Sequence, residues 1–189
     1  MVSEGMFRMT TVDITGQLAR YMAQARDLRL PPHVAQDAKH RILDTLAAMV
    51  SGSHLQAGQM AILYTRAQGG VAEATVLTTD LRTSAVNAAL ANAMFAHADE
   101  TDDFEPVTKA HPGSHVVPAA LAMAEREGRS GAELLAAVTL GYDVSCRFLL
   151  ALGPDLVRGS HRSAEGTSST MGAAAAAAPM VELVPSALR

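Results

Sequence analysis

At 189 residues and a formal net charge of −4, the chain is long enough for one or at most two domains. It carries no Lys/Arg run, which argues against a nucleic-acid partner. The composition is 49% apolar, 4% aromatic and free of Trp, with Ala, Leu, Met and Val dominant, which favours helices packed through small residues over a β-sandwich. One cysteine, Cys146, excludes an intrachain disulfide and fits a reducing cytoplasm. The first residues, with Glu4 and Arg8 flanking a short Met/Phe patch, lack the apolar run of a signal peptide. Asp44 in one apolar stretch, and Glu133, Asp143 and Arg147 in another, cut the run before the roughly 20 residues of a membrane span, so no membrane contact is expected.

The spacing of Ile14, Leu18, Tyr21, Met22 and Ala25 predicts a first helix over residues 12–27. Pro31 and Pro32 open a second, whose face runs through Val34, Ala38, Ile42, Leu46, Met49 and Val50 to a stop at Gly52. Residues 55–68 read as a third helix ended by Gly69 and Gly70, and the β-branched run 74–78 as one short strand or an extended connector. Thr83 or Ser84 caps a helix to about Ala98, residues 99–112 form a loop, and residues 116–127 form a helix ended by Gly128. Ser130 and Glu133 make an S-x-x-E capping box for a helix reaching Leu152, closed by Gly153 and Pro154. Residues 155–169 read as a polar loop and 170–178 as a small-residue helix interrupted by Pro179. The expected fold class is therefore all-α, a multi-helix bundle.

Chemistry concentrates between His97 and His115, where acidic residues, Lys109 and three histidines share one loop and its edges. Carboxylates and imidazoles are the groups that move protons near neutral pH, and Lys109 can neutralise an anionic substrate. The competing reading is a solvated acidic loop of Asp99, Glu100, Asp102 and Asp103 beside a helix-end histidine. The run from Asp99 to Asp103 also resembles acid-rich magnesium segments, but the second acidic motif they need is missing, since the later acids stand singly. His111 and His115 have the spacing of two ligands on one helix face, but Pro112 and Gly113 between them argue against a continuous helix. No metal and no cofactor are expected.

Several ordered blocks resemble one family. They are Arg41 to Leu46 followed by Ser51-Gly52; His97-Ala98 with the acidic loop; His111-Pro112-Gly113-Ser114-His115; Ser130 to Ala137; Gly141-Tyr142-Asp143-Val144; and His161-Arg162-Ser163 leading to Gly172 and the alanine tract. Together, across residues 12–178, they are similar to the MmgE/PrpD family. The resemblance implies a helical domain joined to a smaller lid domain, usually as a homodimer. It also implies cofactor-free proton transfer on small polycarboxylates, as in 2-methylcitrate dehydratase, cis-aconitate decarboxylase and iminodisuccinate epimerase. By the same resemblance His111 matches the histidine of the H-P-G/S motif, and Asp102 and Asp103 match the acidic pair of a D-F-D-D segment; these three are the candidate catalytic residues. Glu100 falls on the first acid of that segment, Phe104 replaces a common Thr, and a second site histidine falls on Ser163 with His161 two residues away. Glu100, Lys109, His161 and Ser163 are the candidate substrate-binding residues. His97 reads as a helix-end packing or hydrogen-bonding residue.

The family's later segments, including the lid, have no counterpart in this sequence. Residues 1–178 are thus read as a truncated N-terminal helical domain, and 179–189 as an irregular tail of the kind a frameshift would give. Two functional expectations follow: an incomplete lyase- or isomerase-type site, or a non-catalytic helical scaffold or remnant.

Overall fold

A computed structural model describes residues 13–25 and 29–181, apart from the side chain of Glu165. The patch at residues 4–8, the ends of the first predicted helix at Val12 and Asp27, and the tail beyond Val181 lie outside the described residues. Within them run α1 (Ile14–Ala25), α2 (Pro32–Gly52), α3 (Gln56–Gln68), β1 (Ala74–Thr75), β2 (Arg82–Thr83) and α4 (Ala85–His97). They are followed by α5 (Gly113–Glu127), α6 (Gly131–Leu152), α7 (Pro154–Gly159), α8 (Ala164–Ala177) and a 3-10 turn at Ala178–Val181. The fold is all-α, with one minimal hairpin among the described residues.

The helix boundaries follow local chemistry. Pro32 occupies the first turn of α2, where its missing N–H costs nothing. The Ser84 hydroxyl accepts from the Asn87 N–H at 3.4 Å to start α4. At α6 the Ser130 N–H donates to Glu133 Oε2 at 2.8 Å while the Glu133 N–H donates to Ser130 Oγ at 3.3 Å, completing the capping box.

α5 is the central helix, packed on α2, α4, α6 and α8. Its Val116, Val117, Ala120, Ala122 and Ala124 join Met49, Phe95, Val138, Ala176 and Met180 in the main core. Small residues let these axes approach closely. A Cβ at Gly141 would stand 2.6 Å from Val116 Cγ1 and 2.9 Å from Ala176 Cβ, so α6 meets α5 and α8 at a contact where only a hydrogen fits.

The structure corrects three expectations. The run 74–78 holds only a two-residue strand, and its antiparallel partner at Arg82–Thr83 was not foreseen. The pairing is supported from α4, where the Asn92 side chain accepts from Leu77 N at 2.9 Å and donates to Thr75 O at 3.0 Å. The supposed polar loop 155–169 contains α7 and the first turns of α8, because α8 buries a face of small residues, Ala164, Ser168, Gly172, Ala175 and Ala176, that has no hydrophobic period. Finally, α6 is 22 residues long and apolar enough for a membrane span, which its charges were expected to prevent. It packs here against α2, α5 and α8, with Asp143 accepting from Arg147 Nε at 2.6 Å and from the Tyr21 hydroxyl at 2.7 Å.

Candidate functional site

The loop from Ala98 to Pro112 carries the chain from the end of α4 to the start of the central helix, and its acids divide the work of shaping it. Asp99 accepts from Ser51 Oγ at 2.5 Å and from Thr101 Oγ1 at 2.6 Å, bonds that hold its carboxyl below the usual range. Glu105 Oε2 accepts from the N–H and the hydroxyl of Thr108, each at 2.6 Å, closing a turn that bridges back to Ala110. Asp103 anchors the far end. Its Oδ1 accepts from the Gly113 N–H at 2.8 Å, satisfying the first N–H of α5, and its Oδ2 accepts from the Tyr142 hydroxyl at 2.8 Å, with Arg41 3.7 Å away. A Cβ on Gly113 would lie 2.5 Å from Thr45 Oγ1 and 2.6 Å from Asp103 Oδ1, so this junction admits only glycine. Burial pushes the Asp103 carboxyl up against the opposing pull of Tyr142, Gly113 and Arg41, and burial beside Asp103 pushes the Tyr142 hydroxyl far up.

Asp102, its neighbour, turns the other way. Its side chain is 0% exposed and faces two imidazoles, with Oδ1 3.3 Å from His97 Nδ1 and 3.4 Å from His111 Nδ1. The two rings meet edge to face, centroids 5.7 Å apart. His97 Nε2 in turn faces Glu100 Oε1 at 3.5 Å. On the other flank Phe104 lies 5.6 Å from the His111 ring and carries the Lys109 ammonium 5.2 Å above its own centroid. The site is thus a buried carboxylate between two histidines, with a cation at one rim and a second carboxylate at the other. Three positions held at positive φ belong to candidate residues: Glu100 at 57°, Lys109 at 63° and His161 at 59°. Non-glycine residues pay backbone strain in this region, which the surrounding structure must hold in place.

A family model described as MmgE/PrpD N-terminal domain matches residues 16–188. The chain belongs to the MmgE/PrpD family. It is 28% identical over 181 residues to the cis-aconitate decarboxylase-like protein oryM of Aspergillus oryzae, covering 91% of this chain and 36% of that protein. It is also 25% identical over 150 residues to a cis-aconitate decarboxylase of Aspergillus terreus, covering 76% of this chain and 31% of that one. The chain therefore spans about a third of the length of the curated relatives it matches.

On this MmgE/PrpD scaffold the expected residues separate into groups. Asp102 and His111 meet, with Glu100 and Lys109 at the rims, whereas Asp103 is bonded to the base of α5 and to Tyr142 instead. His161 and Ser163 lie on the turn before α8, where Ser163 Oγ accepts from Gly166 N at 2.8 Å as the helix cap. That turn leads into Ala164, which packs with Val157 and Leu149 on Ala110, the residue before His111. Sequence reasoning did not place His97 against Asp102, and it gave Tyr142 and Arg41 no role although both stand in the blocks that carry the resemblance. The signal for His97 was its place at the last residue of α4, five positions before Asp102. His115 points away from the loop, its Nε2 3.2 Å from Ser145 Oγ.

Proposed function

We propose that the chain carries a lyase-type proton-transfer site acting on a small polycarboxylate, with His111 as the acid/base group. The observation that carries this reading is the buried Asp102 carboxylate held between the His97 and His111 rings. A carboxylate so placed stabilises an imidazolium as it forms. In a dehydration His111 would take the proton from the carbon next to a substrate carboxylate while the hydroxyl on the adjoining carbon, protonated from solvent, leaves as water. In a decarboxylation it would deliver a proton to the carbanion left as carbon dioxide departs. Lys109, above Phe104 at the rim, would hold a substrate carboxylate, and Glu100 would orient His97. The relatives named as cis-aconitate decarboxylases support a tricarboxylic substrate of that kind.

The test is turnover of cis-aconitate, 2-methylcitrate and iminodisuccinate by the purified chain beside His111→Gln. Turnover of one of them, reduced roughly 100- to 10,000-fold in the variant, is expected for a lost acid/base group. Turnover that survives in His111→Gln contradicts the assignment.

A further inference from the structure

Three side chains at the loop offer more than a proton path. The nearest donor atoms of His97, Asp102 and His111 all lie within 4.8 Å of one another. Asp102 Oδ1 is 3.3 Å from one imidazole nitrogen and 3.4 Å from the other, longer than the roughly 2.7–2.9 Å of a charge-assisted hydrogen bond. In a tetrahedral array around a cation bound at about 2.0–2.1 Å, neighbouring donor atoms stand about 3.3–3.4 Å apart. His111 Nδ1 is buried and has no hydrogen-bond partner among the described residues, although the carboxylate oxygen is near.

The geometry points to a site for a divalent transition cation, Zn2+ or Co2+ in kind, held by His97, Asp102 and His111. Two imidazoles and one carboxylate are a donor set that suits such ions. Asp102, with a fully buried side chain, supplies the charge, and His97, 41% exposed at its side chain, leaves a path of entry and an open fourth position for water or a ligand carboxylate. Glu100 Oε1, 3.5 Å from His97 Nε2, is placed to orient that ring from outside, as carboxylates behind metal-bound histidines do. Closing the gap between the two histidine nitrogens to tetrahedral spacing takes at most about 1.4 Å, within the swing of two side chains at a helix end and a loop. The site stands on this geometry alone. Where the proton-transfer reading also holds, a bound cation occupies the His111 lone pair and silences the base, so the ion would act as an inhibitor of the site.

The test is Co2+ titration of the purified chain, followed by the visible d–d bands of a low-coordinate ion and by equilibrium dialysis. One ion per chain is expected. The signal should be lost in Asp102→Asn and in His97→Gln and kept when the α2 surface histidines are removed in a His33→Gln/His40→Gln variant. The partly exposed His97 gives a variant that tests the site even if burying a neutral Asn at position 102 prevents folding, and circular dichroism verifies the fold of each protein. Absence of a Co2+ signal overturns the proposal, and so does a signal unchanged by His97→Gln or one abolished by the α2 pair. Co2+ binding by a chain that turns over none of the three acids would leave this site standing and the proton-transfer reading without support; turnover without Co2+ binding would do the reverse.

Discussion

His115 is enclosed between helices: its Nε2 lies 3.2 Å from Ser145 Oγ on α6, and a Cβ on Gly172 of α8 would come within 3.0 Å of the same nitrogen. Burial, with a smaller push from His97, lowers its pKa from the ordinary 6.5 to about 4. The unfolded chain therefore takes up a proton below pH 6.5 that the native chain refuses until about pH 4. Stability is expected to fall as pH drops through this window, by up to about 3 kcal/mol from this one group. Urea unfolding of His115→Gln should show a flatter decline between pH 6.5 and 4 than the parent; equal slopes would show that the ring is not held neutral. The neighbouring acids illustrate what sequence could and could not tell. The loop was legible from the density of acids and the prolines between His97 and Gly113. Which of Asp102 and Asp103 would face the histidines was not, because adjacent residues in a loop point opposite ways, and the choice depends on the path that Gly113 and Tyr142 impose.

Among elements, α2 to α6 were readable because each couples a periodic apolar face to a stop or cap, such as Gly52, Ser84 or the Ser130–Glu133 box. α8 was half missed because it buries Ser168 and Gly172 together with alanines, a contact made by shape and not by hydrophobicity. β1 and β2 are too short to show alternation and depend on Asn92 and on Glu125, whose Oε2 accepts from the Thr75 N–H at 2.8 Å. α4 carries the converse feature. Val86, Leu90 and Met94 form one stripe at helical spacing and are 77%, 42% and 38% exposed, so the helix that delivers His97 shows an apolar face to its surroundings. We propose that such a stripe is buried by self-association of the chain. Light scattering is expected to show self-association of the chain that Leu90→Lys weakens. A parent protein that is monomeric at all concentrations would contradict it.

For the molecule as a whole, the central helix α5 joins core and site. Its buried face organises α2, α4, α6 and α8, and its first N–H is tied to the loop that carries Asp102 and His111. The loop is thereby anchored to the core through Asp103 and Gly113, which stand within two residues of Asp102 and His111 respectively. Substrate choice was not legible from the sequence or from the site, since the loop shows one cation, Lys109, at its rim, and the chain spans about a third of its curated relatives. Recognition of a polycarboxylate at this loop can be measured without turnover. The histidine Hε1 signals of the chain should be followed by NMR as cis-aconitate is added, with His111→Gln and His97→Gln for assignment. The signals of His111 and His97 are expected to move together and saturate, while those of His33 and His54 stay in place. Movement of the surface histidines alone, or of none, would contradict it.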